Sequence, residues 1–368
     1  IFTCAKNDLE LIQLPRTFNK AMGMAVNGGK LAIATKEEVI VLANCPGLAV
    51  SYPKQPNTYD GLYVPRATYY TGQVDIHDLD WGFVETEPEK RGIGEPENLG
   101  PGESKNLLKG SQFTDSPVHP FPHSVLWSVN TSFSCLAVIN DDFSFIPRWK
   151  PSFITKLASE DRCHLNGMAM DQGHPLYVSA FGTGNKPQSW RENIPDTGVV
   201  IHVPSSEIVL KDLPMPHSPR IYNDKLYMLL SATGEVVCAD PEKGKYEVIT
   251  KLPGFVRGMD KYGDHLFIGL SRLRKNASTF KDLPIAEKAL SAGIVVIHLP
   301  TGAIVGELKY QSTVDEIYDI QVLPDLKRPG ILNTMNDTYK MGLSTPDATY
   351  WAASEESSSS SKQLTGRQ

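Results

Sequence analysis

A motif that recurs six times predicts an all-β fold, a six-bladed β-propeller with four-stranded antiparallel blades. The copies are spaced as propeller blades are once loop insertions are allowed. They are AMGMAV (21–26), IHDLDW (76–81), LNGMAM (165–170), PHSPRIY (216–222), VRGMDKY (256–262) and IYDIQVL (317–323). After most copies come segments in which apolar and polar residues alternate, which is the side-chain period of a β-strand. Each copy therefore predicts the first strand of a blade.

The segments after each motif predict the other three strands. A turn rich in Gly, Asn or Asp separates most motifs from the second strand. The predicted second strands are KLAIAT (30–35), VLWSVN (125–130), PLYVSAF (175–181), KLYMLL (225–230) and HLFIGL (265–270). Third strands follow as EEVIVLA, FSCLAVI, GVVIHV, GEVVCAD and AGIVVIHL, and fourth strands as SEIVLKDL (206–213), KYEVITKL (245–252) and AIVGELKY (303–310). The repeating unit is a four-stranded meander.

The two ends of the chain predict how the ring closes. After the sixth motif copy one further clear strand, GILNT (330–334), precedes a polar tail. The N-terminal segments IFTCAK and LELIQLP supply two spare strands. We expect these N-terminal strands to complete the last blade, which would leave no free sheet edge.

The domain organisation follows from the repeat. Residues 1–350 form one predicted propeller domain, and residues 351–368 form a Ser-rich tail whose composition predicts disorder. Residues 84–122 are rich in Pro, Gly and charge and lie between the first and second strands of blade two. They predict a long surface loop inserted into the blade.

Composition excludes several classes of protein. The chain is 40% hydrophobic and 21% charged with a formal net charge of -6, as in an ordinary soluble globular protein. No run of Lys and Arg is present to follow a nucleic acid backbone, and no apolar stretch is long enough to span a membrane. Five scattered cysteines without a CxxC pair argue against a disulfide framework and slightly favour a cytoplasmic protein.

The motif also predicts the functional site. The innermost strand of a propeller blade starts near the axis, so the polar residues at equivalent motif positions should converge at the mouth of the central channel. The candidate residues are Lys20, Asp75, His77, His164, Asn166, His217, Arg257, Glu316 and Tyr318. Two long loops, 182–198 and 271–293, emerge on the same face and are expected to cover it, bringing Trp190 and Arg272 to the site.

Three interpretations of this ring of polar residues at the channel mouth stay open. His77, His164, His217 and Glu316 carry imidazole and carboxylate groups that suit a divalent metal such as zinc, manganese or iron. Arg257 and Lys20 favour a small polar or anionic ligand instead. In the third interpretation the polar ring is a hydrogen-bonded plug that serves the fold.

Catalysis is left open by the residues. The usual serine hydrolase, zincin, NTPase and dinucleotide-binding motifs are absent from the sequence. Asp75, Glu316 or a neutral histidine could act as a general base on a bound substrate. If the protein is an enzyme, metal-assisted hydrolysis or elimination is the class that the ring favours.

Several longer strings carry a family resemblance. CHLNGMAM, MPHSPRIY, LPGFVRGMD, FIGLSRLR, LPIAE and EIYDIQVLP, in this order, resemble an uncharacterised family of propeller-like proteins with a domain of unknown function. The resemblance covers most of residues 15–335 and implies the propeller fold without implying an activity. We therefore predict a small polar or anionic ligand at the channel mouth. The alternative is a scaffold that binds a protein partner through the same face or through residues 84–122.

Overall fold

The structure is a computed structural model that describes residues 2–4, 11–84, 124–192, 194–273, 280–311 and 314–352. It is a β-propeller whose blades are antiparallel sheets of four strands. The first strands of successive blades lie side by side around a central channel. The predicted all-β class and the meander within each blade are confirmed.

Five four-stranded blades occur in the described part of the chain. Their strands are, in blade one, Gly23–Asn27, Lys30–Ala34, Glu38–Asn44 and Gly61–Tyr70; in blade two, Ile76–Gly82, Val125–Asn130, Cys135–Val138 and Ile146–Trp149; in blade three, Leu165–Asp171, His174–Ala180, Gly198–His202 and Glu207–Leu213; in blade four, Pro216–Tyr222, Lys225–Leu230, Glu235–Asp240 and Lys245–Lys251; and in blade five, Phe255–Tyr262, His265–Ser271, Gly293–His298 and Ala303–Lys309.

Short elements surround the blades. They are the hairpins Phe2–Cys4 with Leu11–Gln13 and Gly342–Ser344 with Thr349–Trp351, the helices Pro46–Val50 and Thr338–Met341, and the 3-10 turn Ser189–Glu192. No helix in the described ranges is long and apolar enough to cross a membrane.

The prediction of six blades is wrong, because the sixth motif copy has no sheet of its own. Residues 316–323 form no strand, and Pro329–Ile331 pairs in parallel with Gly61–Tyr63 as a fifth strand of blade one. The predicted N-terminal strands pair with each other instead of completing a last blade. The strand that was predicted to belong to a sixth blade therefore pairs with the open edge of blade one instead.

Residues 316–323 nevertheless occupy the innermost position between blades five and one. The Ser271 hydroxyl donates to the Ile317 carbonyl at 3.1 Å, just as Thr131 donates to Leu165 of the next blade at 2.6 Å. On the other side, Asp319 accepts the Met24 N–H at 2.9 Å. The sixth copy therefore closes the ring as a single segment.

A buried ionic network ties the first strands together across the channel. Arg220 of blade four donates two hydrogen bonds to Asp78 of blade two, at 2.8 and 3.0 Å. Asp78 also accepts the Met168 N–H of blade three at 2.9 Å, and Asp319 lies 4.0 Å from Arg220. Three blades and the closing segment thus meet at one guanidinium.

Apolar side chains fill the space between neighbouring blades. Between blades two and three, for example, Val129 and Leu136 pack with Leu165, Met168 and Val178, all nearly or fully buried. This packing explains why the inner strands are apolar on both faces. The predicted insertion and tail, apart from residues 84 and 351–352, lie outside the described residues.

Candidate functional site

A cavity of about 240 Å³ lies at the mouth of the central channel, where the first strands begin. It is smaller than a typical pocket for a drug-sized ligand, which has roughly 300 Å³ or more. All but two of the residues predicted for the site line it, and they are Lys20, Asp75, His77, His164, Trp190, His217, Arg257, Glu316 and Tyr318. Residues at equivalent positions of the repeated motif, although distant in the sequence, therefore line one cavity.

The backbone explains why polar side chains converge there. Lys20, Asp75, His164 and Met215, each just before a first strand, have φ between 50° and 58°. This left-handed conformation is uncommon for residues other than Gly and turns the chain sharply. The strand pairing then shifts register around His77 and Arg257, as in a β-bulge. The bend and the bulge direct these side chains towards the channel axis.

The structure does not bring Asn166 and Arg272 into this cavity. Asn166 occupies a register shift like that of His77, but its side chain is buried and accepts a hydrogen bond from Ser179 Oγ at 2.7 Å. Arg272 forms an ion pair with Asp315 and lines a neighbouring depression. Side-chain direction within a bulge and the path of a loop are not encoded in the repeat register.

His77 and His217 are held by the same arrangement of hydrogen bonds. Nδ1 of His77 lies 3.2 Å from the Asp75 carbonyl and 2.8 Å from Thr131 Oγ1. Nδ1 of His217 lies 3.2 Å from the Met215 carbonyl and 2.6 Å from Ser231 Oγ. One edge of each ring is therefore fixed in the cavity wall.

His164 is held by a carboxylate and by aromatic rings. Its Nδ1 lies 3.1 and 3.2 Å from the two oxygens of Asp161, and Trp190 Nε1 donates to Asp161 at 2.9 Å. The imidazole centroid is 4.6 Å from that of Phe181 and 4.3 Å from that of Trp190. It also contacts His77 edge to face at 4.8 Å. The three rings fix the orientation of this imidazole.

Arg257 stacks on Tyr318 instead of pairing with an acid. Its guanidinium lies 4.3 Å from the centre of the Tyr318 ring, and the Tyr318 hydroxyl donates to Glu316. Lys20 and Asp75 form their own ion pair at 2.8 Å, nearer the solvent. In the part of the chain that the structure describes, no carboxylate forms an ion pair with Arg257.

Burial and Arg257 set the charge states in the cavity. Burial lowers the pKa of His77 and of His217 well below 6.5, and the positive charge of Arg257 lowers both pKa values further. Burial and the bond to Glu316 raise the pKa of Tyr318 to about 12. Burial would raise the pKa of Asp75, but His77 and Lys20 outweigh it and the pKa is lowered. At pH 7 His77 and His217 are thus neutral beside a charged guanidinium.

The predicted metal site has no support in this geometry. Among the residues that the structure describes, no group of three or more His, Cys, Asp or Glu side chains is arranged to hold a metal ion. His77, His164, His217 and Glu316 nevertheless all line the same cavity. The metal stays a prediction.

Both long loops contribute walls to the cavity. Trp190 and Arg191 come from the first loop, and Leu273 and Phe280 come from the second. Trp190, Leu273 and Phe280 join the apolar cluster above the first strands, together with Phe181 and others. Residues 274–279 of the second loop lie outside the described residues. The wall is thus strongly aromatic.

Sequence reasoning missed Asp161, Phe181 and the hydroxyl residues Thr131 and Ser231. The available signal for the hydroxyls was a Ser or Thr that is the last residue of the second predicted strand or directly follows it in four of the five blades: Thr35, Thr131, Ser231 and Ser271. Asp161 lies three residues before His164, outside the repeated motif. Its role depends on a turn that the repeat does not predict.

Fold and cavity together define a β-propeller with a polar central site. The chain belongs to the DUF4915 family, described as a domain of unknown function, whose profile matches residues 1–88 and 118–332. The predicted family is thereby confirmed. The unmatched stretch lies within the segment predicted as an insertion. No curated protein matches the chain.

The solved structures that match this chain share little sequence with it. A structural genomics protein from Bacteroides thetaiotaomicron has 10% identity and a TM-score of 0.41, covering 85% of this chain and 62% of the other. A luciferin-regenerating enzyme has 11% identity and a TM-score of 0.40, covering 79% and 76%. A chain of the nidogen/laminin complex has 10% identity and a TM-score of 0.37, covering 78% and 79%.

Proposed function

We propose that the protein binds a small organic anion in the central cavity, with Arg257 as the anchor for its acidic group. The observation that supports this most is the guanidinium itself, which lines a partly enclosed cavity, stacks on Tyr318 and has no ion-pair partner among the described residues. A planar guanidinium in such a place matches a carboxylate or a phosphate with two parallel hydrogen bonds.

The acidic side chains at the mouth do not block the binding of an anion to Arg257. Glu316 is exposed and bonded to Tyr318, so water screens much of its charge. Asp75 is neutralised by Lys20 at the rim. Farther in, the guanidinium faces His77 and His217, which are neutral. An anion that displaces water from the cavity would thus meet the guanidinium of Arg257, while the two carboxylates that act on this guanidinium, Glu316 and Asp75, are bonded to Tyr318 and Lys20.

The experiment is a thermal-shift titration of the purified protein. The probes are small carboxylic acids, with and without hydroxyl groups, and inorganic phosphate. An anion at a hundred times its Kd should add about 2.7 kcal/mol to the stability of the folded protein. We expect at least one probe to raise the Tm of the parent, and the effect to vanish in Arg257→Gln.

Arg148→Gln is the matched control, because Arg148 is an exposed arginine on the outer strand of blade two. It should keep the full shift. If no probe shifts the Tm, or if the shift survives in Arg257→Gln, the proposal is wrong. Mass spectrometry of the parent gives an independent check, since a stoichiometric metal lost in His77→Ala and His164→Ala would make the cavity a metal centre instead.

A further inference from the structure

The hydrogen bonds of His77 determine which of its nitrogens carries the proton. Thr131 Oγ1 lies 2.6 Å from the Leu165 carbonyl and 2.8 Å from His77 Nδ1. A carbonyl oxygen can only accept, so the single hydroxyl proton goes to Leu165 and Nδ1 must donate to the hydroxyl. The Asp75 carbonyl, 3.2 Å from Nδ1, is a second acceptor and requires the same tautomer.

His217 repeats this arrangement in blade four. Ser231 Oγ donates to the Val256 carbonyl at 2.5 Å and lies 2.6 Å from His217 Nδ1, while the Met215 carbonyl lies 3.2 Å from the same nitrogen. Nδ1 of His164 faces the Asp161 carboxylate, which also accepts hydrogen bonds. All three imidazoles therefore carry a proton on Nδ1.

This tautomer gives the cavity a defined pattern of donors and acceptors. The Nδ1 edges of His77, His164 and His217 contact the wall, so the opposite edges, which carry Nε2, border the cavity that these rings line. Nε2 of a neutral imidazole with its proton on Nδ1 is an acceptor. The cavity thus combines the charged donor group of Arg257 with acceptor nitrogens on His77 and His217.

A ligand with a carboxylate and no hydroxyl group would match only the donor part of this pattern. It would bind Arg257 but bring no donor to the Nε2 atoms, and covering an acceptor without a partner costs about 1 to 3 kcal/mol. Ligand hydroxyl groups would supply the missing donors. Ammonium groups would also donate, but the positive charge of Arg257, which already lowers the pKa of His77 and His217, disfavours a second cation there.

The walls fit the carbon skeleton of the same kind of molecule. Phe181 and Trp190 flank His164, and the rings of Phe255 and Phe280 lie 5.9 Å apart. Aromatic faces pack well against the C–H faces of a hydroxylated chain or ring. We propose that the ligand is a small polyhydroxylated carboxylic acid, bound through its carboxylate by Arg257 and through its hydroxyls by Nε2 of His77 and His217. This inference rests on the proposed function.

Calorimetric titration with matched probes tests it. L-Threonate and D-erythronate carry a carboxylate and hydroxyl groups on four carbons, butyrate has the same charge and chain without hydroxyls, and erythritol has hydroxyls without charge. We expect the hydroxy acids to bind at least about tenfold more tightly than butyrate, the value of one additional hydrogen bond. Erythritol should bind more weakly than either hydroxy acid.

His217→Asn isolates the acceptor. The Asn amide N–H can replace Nδ1–H as the donor to Ser231, while nothing replaces Nε2. We expect this variant to lose about tenfold in affinity for threonate and to bind butyrate at least as tightly as the parent does, because one unpartnered acceptor is gone. His202→Asn is the control, because His202 Nδ1 also lies 2.9 Å from a hydroxyl, that of Ser205, but the ring lies outside the cavity. If His217→Asn unfolds, His77→Asn takes its place.

The outcomes separate this inference from the proposed function. Equal binding of butyrate and threonate, both lost in Arg257→Gln, would overturn the hydroxy acid and leave anion binding intact. Erythritol binding as tightly as threonate and unchanged in Arg257→Gln would overturn anion binding itself. Failure of both hydroxy acids in a protein that binds another acid would overturn the inference alone, and failure of every acid would overturn both.

Discussion

Asp78 and Asp80 lie two residues apart on the first strand of blade two, yet their replacement by Asn should have opposite effects on stability. Burial raises the pKa of Asp80 from the ordinary 3.8 to about 6; Arg220 lowers it in part, and Asp78 raises it. A difference of about two pKa units corresponds to about 3 kcal/mol. At pH 8 the ionised Asp80 therefore opposes folding by an amount of this order.

The sign of the pH dependence follows from the direction of the shift. The folded protein holds the Asp80 proton more tightly than the unfolded chain does, so this contribution to stability is complete below pH 3.8 and is lost as the pH rises through 6. Asn carries no charge and can still accept the Trp81 N–H through its carbonyl oxygen, as Asp80 does at 2.8 Å. Asp80→Asn should thus be more stable than the parent at pH 8, by up to about 3 kcal/mol.

Asp78 is in a different position, because Arg220 and two backbone N–H groups bond to it. Asp78→Asn would leave a buried guanidinium without its charged partner, and breaking such a pair costs about 3 to 5 kcal/mol. We expect urea unfolding, followed by tryptophan fluorescence, to show a destabilised protein at pH 8.

The same urea series at pH 4.5, 6 and 8 tests both substitutions, with Asp264→Asn in an exposed turn as the control. The advantage of Asp80→Asn should shrink towards pH 4.5. A loss of stability in Asp80→Asn at pH 8, or a gain that does not change with pH, would refute the electrostatic reasoning. An unchanged Asp78→Asn protein would refute the role of the ionic network.

Two further predictions concern the segment that closes the ring. Gly258 has φ of +74°, and a Cβ there would lie 2.6 Å from Asp319 Cα, so Gly258→Ala should lower the free energy of unfolding by about 3 kcal/mol or more. Gly263→Ala is the control: with φ of +55° and open space around the Cβ, it should cost about 1 kcal/mol. Equal urea midpoints for the two variants would contradict the close approach of Gly258 to Asp319. Ser271 exchanges two hydrogen bonds with Ile317, so Ser271→Ala should lose about 2 kcal/mol and speed hydrogen exchange at the Ile317 amide; unchanged exchange would contradict this tie.

The strands could be predicted from the sequence because their signal is local. Alternation of apolar and polar residues fixed 225–230 and 245–252 to within a residue or so of the observed ends. The number of blades could not be predicted in this way. The pairing of Pro329–Ile331 depends on which sheet edge has unpaired backbone groups in the folded molecule. That edge is strand 61–70 of blade one.

The site was predictable for a related reason and to a similar extent. Equivalent motif positions converge in any ring of repeats, so His77, His217 and Arg257 could be assigned to one cavity without knowledge of the strand pairing. Asn166 shows the limit of this reasoning. It occupies the equivalent position, but its amide contacts Ser179, because packing within the blade decides where a bulged side chain points.

Along the first strands, the residues proposed to bind the ligand and the residues that hold the blades together lie at different depths of the channel. Two hydroxyl groups are the exception, because they serve both purposes. The Asp78–Arg220 network lies farther along the strands than the mouth, so Arg257 can be replaced without breaking the ties between blades. The hydroxyls of Thr131 and Ser231 belong to both layers, since each bonds to a backbone carbonyl of the next blade and also fixes the tautomer of a cavity histidine. Their removal should weaken ligand binding and blade packing together, and variants of the imidazoles and Arg257 are therefore the ones that can isolate function.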